Sequence, residues 1–209
     1  MANAVTDVES ASLPGLPLDI RRWRRAERKK QIDARLAVSA NDRADMAARI
    51  RSHLMQAIAS VEGSCVSVFW PIRGEPDLRP LVPHVIAMGG TCALPVVVER
   101  GQPLVFRAWA PGEPLQRGVW NIPVPAAGRE IEPDIVVAPT VAFDSACYRL
   151  GYGGGYFDRT LAAIRKRPRV FGVGYSLAAV PTIHPQAHDI PMDSIVTHEG
   201  VIERQGSPR

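Results

Sequence analysis

Six short apolar runs set the architecture open to this chain. Cys65-Val-Ser-Val-Phe-Trp70 stops at Pro71, and Asp134-Ile-Val-Val-Ala138 stops at Pro139. Runs of this length, rich in β-branched residues and closed by proline, read as buried strands. Thr91–Val98 and Leu104–Trp109 pair through the Arg100-Gly101-Gln102 turn, and Arg169–Tyr175 and Ser194–Thr197 complete the set. Other segments carry helical spacing. Met46, Ile50, Leu54 and Ile58 recur by fours across Arg43–Ile58, and Pro80–Met88 ends at Gly89-Gly90. Arg21–Val38 also reads as helix, with Ile20, Trp23, Ile32 and Leu36 as its sparse apolar positions. Ser39-Ala-Asn-Asp42 stops that helix and caps the next. Strands alternating with helices predict an α/β fold, a three-layer α/β/α sandwich with a mostly parallel central sheet. Ligands in such sheets gather beyond the carboxyl ends of the strands, where Glu75, a glycine-rich segment and Asp189 fall.

The glycine-rich segment is Arg149-Leu-Gly-Tyr-Gly-Gly-Gly-Tyr-Phe-Asp158. Gly151, Gly153, Gly154 and Gly155 tolerate positive φ and leave room for backbone N–H groups to turn inward. Such a concavity suits phosphate oxygens. Arg149 adds a forked cation, and Asp158 an oxygen ligand for the magnesium that accompanies a nucleotide. Arg159–Arg167 reads as a short helix, so the loop opens a helix N-terminus. For the glycines alone, a plain surface loop is the competing reading. No Gly-Lys-Ser/Thr follows, which excludes a Walker A loop. The polar Phe143–Tyr148 segment before it argues against a dinucleotide fingerprint.

With 209 residues, 46% hydrophobic and 22% charged, the chain suits one soluble domain over residues 19–209 after a flexible tail over 1–18. The net charge of +4 is unevenly spread: Arg21, Arg22, Arg24, Arg25, Arg28, Lys29 and Lys30 crowd one segment. A solvated helix face or an anion contact explains the cluster. Nucleic acid is disfavoured, because no binding motif or aromatic-interleaved surface accompanies it. Cys65, Cys92 and Cys147 sit in apolar surroundings and read as reduced core thiols. No run reaches transmembrane length and no secretory signal opens the chain. These features predict a cytoplasmic monomer with no membrane partner.

Glu75, in Arg73-Gly-Glu-Pro-Asp77, is a carboxylate held between glycine and proline, able to orient an amine or amide. An ordinary turn acid is the alternative. Trp120-Asn-Ile-Pro-Val-Pro125 offers a rigid aromatic surface for a flat ring, or simple packing. Asp189 and Asp193 offer oxygens that could join Asp158 on magnesium. His184 and His188 lack a third ligand at zinc spacing.

In order, these segments resemble the 5-formyltetrahydrofolate cyclo-ligase (5,10-methenyltetrahydrofolate synthetase) family over roughly residues 21–202. The Arg149–Asp158 segment is the specific part. The basic N-terminal helix, Gly74-Glu75, Trp120–Pro125, Pro139–Asp144 and His188–Asp193 are weaker but correctly ordered. The resemblance implies ATP-driven conversion of 5-formyltetrahydrofolate to 5,10-methenyltetrahydrofolate with Mg2+, releasing ADP and phosphate. It implies ATP contacts from Arg24, Arg28, Arg149, Gly151, Tyr152, Gly153, Gly154, Gly155, Tyr156 and Phe157. Arg149 and Tyr156 would act in catalysis, and Asp158 and Asp189 on magnesium. Glu75, Trp120, Tyr152, Gly153 to Gly155 and Tyr156 would hold the substrate. A one-residue slip puts Arg25 and Lys29 in place of Arg24 and Arg28. The chain departs from the family where Tyr152 and Gly154 stand for a basic residue, Phe157 for tyrosine and Ala178 for glutamine. A paralogue acting on another folate-like or thiamin-related substrate is the second reading, and a non-catalytic folate- or nucleotide-binding module the third.

Overall fold

The structure, a computed structural model, describes residues 18–205. Two helices, α1 (Leu18–Ala37) and α2 (Ala40–Ile58), precede β1 (Cys65–Ser67). The short α3 (Leu81–Ala87) leads into β2 (Thr91–Val96) and β3 (Val105–Ala108). A small hairpin follows, β4 (Leu115–Arg117) with β5 (Pro123–Pro125), and then β6 (Ile135–Pro139). A second small hairpin, β7 (Ala142–Phe143) with β8 (Arg149–Leu150), precedes α4 (Tyr156–Ala163). The chain closes with β9 (Arg169–Val173), β10 (Ser194–Val196) and β11 (Val201–Glu203). The residues expected as a tail lie outside the described residues, except Leu18, which opens α1.

The expected sheet forms, with β11 as a seventh strand that the sequence reading did not include. Its order is β11-β10-β9-β6-β1-β2-β3, parallel from β10 to β2 and antiparallel at both edges. Alternation along β6 explains the layering. Ile135 and Val137 face a core shared with Ile50, Leu54 and Ile58 of α2 and Leu81, Val82 and Val85 of α3. Val136 and Ala138 face the other core, where Phe157 and Leu161 pack from α4. Side chains two apart on a strand share a face, so both faces need an apolar cover. Among the described residues, no helix is long and apolar enough to cross a membrane.

Several boundaries differ from the sequence reading. The β1 ladder ends at Ser67 rather than Trp70, although Val68 N–H still donates to Ala93 O at 3.0 Å. Helix α4 starts at Tyr156 instead of Arg159 and stops at Ala163, so Arg165, Lys166 and Arg167 lie beyond it. The larger correction concerns α1. Leu36 is 50% exposed, and the fully buried stripe is Arg24, Glu27, Gln31 and Arg35. Spaced three to four apart, these side chains form one face of the helix. Polar groups are buried where hydrogen bonds meet them, so α1 is docked by the donors of Arg24, Arg28 and Arg35 together with Trp23, which packs on Ala142, Leu150 and Ile183.

The ends of β6 and β9 fit closely. A Cβ at Gly174 would sit 2.1 Å from Thr140 Oγ1. That hydroxyl is buried, on a β-branched side chain, and donates to Val173 O at 3.1 Å. Gly174→Ala should therefore destabilise by about 1–3 kcal/mol through overpacking, read as a lower urea midpoint with an unchanged slope.

Candidate active site

The strand order reverses beside β1. From β1 the chain moves outward to β2 and β3, then returns to β6 on the other flank of β1 and continues to β9 and β10. Loops leaving the carboxyl ends of β1 and β6 therefore diverge, which opens a crevice. The loop after β1 carries Arg73 and Glu75. The chain after β6 runs through Thr140 into β7–β8 and on to the glycine loop. Asp144 braces this hairpin: its carboxylate accepts from Ala146, Tyr148 and Ile183 N–H at 3.1–3.2 Å. That accounts for Asp144 closing the Pro139–Asp144 segment, by structure rather than by ligand contact.

Gly153 and Gly155 are left-handed (φ 99° and 62°), a conformation costly for any side chain with a Cβ. Gly155 immediately precedes α4, so the first-turn amides of the helix border the loop. Arginines take up the loop's carbonyls. Arg28 Nε donates to Gly151 O at 2.8 Å, and Arg159 Nη2 donates to Gly154 O. Among the described residues, no acceptor takes the N–H groups of Gly151 to Gly155. The loop thus keeps its donors unspent among the described residues and turns two of its acceptors to cations.

Arg149 stands beside it. Its residue exposure is 5%, yet Nε and Nη2 are buried without a hydrogen-bond partner among the described residues. Its ion pair with Asp158 Oδ2 is long, at 3.4 Å, and its Cζ lies 5.4 Å from the centre of the Phe157 ring. Nη1 is 3.5 Å from where a side chain at Gly151 would begin. A buried guanidinium with free donors costs several kcal/mol unless an anion meets it.

Two helix-α1 arginines turn inward, Arg28 to this loop and Arg24 to the segment of Ile183, His184 and Asp189, and they differ in kind. Arg24 is saturated: Nε donates to Ile183 O at 3.1 Å, Nη2 to His184 O at 2.8 Å, and the fork grips Asp189 at 2.5 and 3.3 Å. Among the described residues, Arg28 bonds only through Nε and keeps its outer amines. Burial, then the neighbouring Arg24, lowers its pKa to about 10, with Asp189 opposing. Arg25 and Lys29 point to solvent; Lys29 is occupied with Asp33 at 2.6 Å. The helix register that turns inward is therefore the Arg24/Arg28 one.

Glu75 lies on the opposite wall, 6% exposed. Its carboxylate accepts from Ile72 N–H at 2.9 Å and from the Tyr152 hydroxyl at 2.8 Å. Burial outweighs these bonds and the nearby Arg35 and Arg73, and pushes its pKa up to about 7. Burial likewise pushes the Tyr152 phenol up, with Glu75 adding to it. Arg35, which the sequence reading did not single out, donates to the same hydroxyl at 2.8 Å and to Arg73 O at 2.9 Å. Its place seven residues after Arg28 was the available signal. Trp120 and Tyr156 also meet, edge to face, with centroids 5.5 Å apart. Trp120 is 44% exposed at the tip of β4–β5, in a turn where it and Asn121 are both left-handed (φ 56° and 60°). Such turns match the twist of a two-stranded hairpin. The Tyr156 ring lies on Gly154, where a Cβ would approach it to 2.7 Å. Phe157 packs its ring on the sheet, so only its backbone borders the loop.

The two acids assigned to magnesium are unequal. Asp158 Oδ1 accepts only a 3.2 Å bond from Ile190 N–H. Asp189 Oδ2 accepts from both Arg24 and Gln186 N–H, the latter at 2.7 Å. Magnesium prefers one or two carboxylates plus substrate phosphates. The donor set of Asp158 fits that role, whereas Asp189 is committed to Arg24. Among the described residues, no three His, Cys, Asp or Glu side chains cluster as a ready cation site. The three cysteines are buried, and desolvation pushes Cys147 up to about 11, which removes thiolate chemistry from the site.

Residues 20–198 match the model of the 5-formyltetrahydrofolate cyclo-ligase family. The chain is 29% identical over 177 residues to a 5-formyltetrahydrofolate cyclo-ligase of Escherichia coli, covering 81% of this chain and 97% of that protein. A cyclo-ligase of Mycolicibacterium smegmatis is 27% identical, covering 66% and 75% of the two chains. Among solved structures, a 5,10-methenyltetrahydrofolate synthetase of Aquifex aeolicus superposes with a TM-score of 0.75 at 30% identity, covering 89% and 95% of the chains. A 5,10-methenyltetrahydrofolate synthetase of Mycoplasma pneumoniae shares the fold, with a TM-score of 0.68 at 20% identity, covering 84% and 98%.

Proposed function

Because the chain belongs to the 5-formyltetrahydrofolate cyclo-ligase family, we propose that it closes 5-formyltetrahydrofolate to 5,10-methenyltetrahydrofolate at the expense of ATP. The observation that carries the nucleotide half is Arg149, a buried guanidinium that, among the described residues, has no hydrogen bond at Nε or Nη2 beyond a long ion pair with Asp158, next to loop amides that also have no acceptor there. The formyl oxygen is a poor leaving group, so it first takes the γ-phosphoryl group of ATP, and ADP departs. N10 then attacks the activated formyl carbon, its proton is lost, and the C–O bond breaks with release of phosphate. No side-chain nucleophile takes part. Catalysis is positioning and charge neutralisation.

Arg149, the outer amines of Arg28 and the Gly151–Phe157 backbone hold the phosphates. Asp158 is the protein's oxygen ligand to magnesium, which when bound neutralises phosphate charge. Asp189, expected as a second ligand, instead orients Arg24, and Arg24 ties α1 to the His184 loop. Glu75 anchors the pterin donors, while Trp120 and Tyr156 line the folate side, with the Tyr156 ring over the loop beside the transferring phosphoryl group.

Purified protein given Mg-ATP and 5-formyltetrahydrofolate should develop the near-ultraviolet absorbance of the methenyl product. Folded protein that produces none over hours rejects the reading. ADP release that instead requires another formylated compound selects a paralogue. Asp158→Asn should lower turnover on the order of a hundredfold, with partial recovery at high magnesium; a magnesium dependence identical to wild type removes Asp158 from the metal.

A further inference from the structure

The glycine loop is fastened at two adjacent residues, both to α1 and one also to the loop after β1. Gly151 O is held by Arg28 at 2.8 Å. The Tyr152 hydroxyl is held between Arg35, two helical turns further along α1, and Glu75, from the loop after β1, each at 2.8 Å. The direction of these bonds is fixed by chemistry. Arginine can only donate, so the Tyr152 oxygen accepts from Arg35 and must send its own proton to Glu75. The groups around this contact are Arg35 from α1, Arg73 and Ile72 N–H from the loop of Glu75 itself, and Tyr152; Tyr175 also feels the charge of Glu75. Tyr152 therefore joins the carboxylate of the loop after β1 to the first peptides of the glycine loop.

We propose that Tyr152 is a coupling residue, through which occupation of Glu75 by the reduced folate tightens the glycine loop around the nucleotide. This rests on the reading of Glu75 and the loop given under the proposed function. Ligand N–H groups arriving at Glu75 favour its charged form. A hydrogen bond to a charged acceptor is roughly twice as strong as one between neutral groups. The Tyr152 bond strengthens, residues 151–155 lose freedom before the triphosphate arrives, and the nucleotide meets an ordered loop. Reciprocity is required: the nucleotide must tighten the folate by the same factor.

The test uses the full-length protein. Calorimetry gives the affinity of magnesium AMP-PNP, a non-hydrolysable ATP analogue, with and without saturating 5-formyltetrahydrofolate, and the reverse. In wild type each ligand should tighten the other about tenfold. In Tyr152→Phe, which keeps the ring, the factor should fall below about threefold, whatever change the variant makes to either ligand's affinity alone. A variant with the wild-type factor overturns the proposal. A wild type that binds both ligands independently also overturns it and spares the parent reading; a wild type that binds neither sinks the parent reading as well. Amide hydrogen exchange without ligand is a second readout. Tyr152→Phe and Glu75→Gln should each speed exchange at residues 151–155, and unchanged protection in both contradicts the latch.

Discussion

Arg149→Met is expected to cut turnover about a thousandfold, the scale seen when a positioned donor to a developing charge is removed, and to leave stability equal to wild type or higher. Both halves follow from one geometry. The guanidinium is buried with Nε and Nη2 unpartnered and only a 3.4 Å contact to Asp158. Unmet buried donors cost roughly 1–3 kcal/mol each, and stacking over Phe157, desolvated here, returns about 2 kcal/mol. Methionine fills similar volume without those donors. Its loss leaves Asp158 less compensated, but that carboxylate is partly solvated and keeps the Ile190 N–H. Steady-state absorbance assays and urea unfolding on one preparation read both quantities. Activity within tenfold of wild type removes Arg149 from the phosphoryl step. A large stability loss would mean the residue is a structural tie. Arg149→Lys, which keeps charge without the fork, should fall between the two.

Glu75→Gln should raise the KM for 5-formyltetrahydrofolate ten- to a hundredfold, as expected for hydrogen bonds to a charged group of roughly 1.5–3 kcal/mol, and change that for ATP far less. It also carries a pH signature with a definite sign. Burial raises the folded-state pKa to about 7 from the ordinary 4.5. Between those values the folded protein holds a proton that the unfolded chain has released. The contribution is full below pH 4.5 and is lost as pH rises through 7, a total on the order of 3 kcal/mol. Wild type should therefore lose stability from pH 5 to pH 8 relative to Glu75→Gln, which has no such proton to release. Denaturant midpoints at the two pH values test this. Parallel pH profiles for the two proteins remove Glu75 as a buried titrating acid, and an unchanged KM for the folate removes it from the pocket.

Much of the fold was legible because its signals are strong and local. The central strands are apolar runs closed by Pro71, by Pro139 or by glycine, and the four-residue spacing of Met46 to Ile58 gives the end of α2, which begins three residues before the expected Arg43, at Ala40. The hairpins β4–β5 and β7–β8 were missed, since two- and three-residue strands containing Pro123, Pro125 or Arg149 carry no alternation to read. In the site, residue types pointed to phosphate chemistry, but partners could not be read. Asp189 looked free until Arg24 was found across 165 residues of sequence. Arg35 stands five residues past the basic cluster and was not singled out, because a buried polar stripe looks the same on paper as an exposed one.

That stripe makes α1 an unusual part of the molecule. Beside the packing of Trp23, the helix is pinned by guanidinium forks, so a large part of what holds it weakens where water and ions compete well for carbonyls and carboxylates. Guanidinium salts present the very group that α1 uses, and can occupy its acceptors at Asp189, Ile183 and His184. Detachment of the amino-terminal segment, with the sheet still intact, is the first step in unfolding that this arrangement favours.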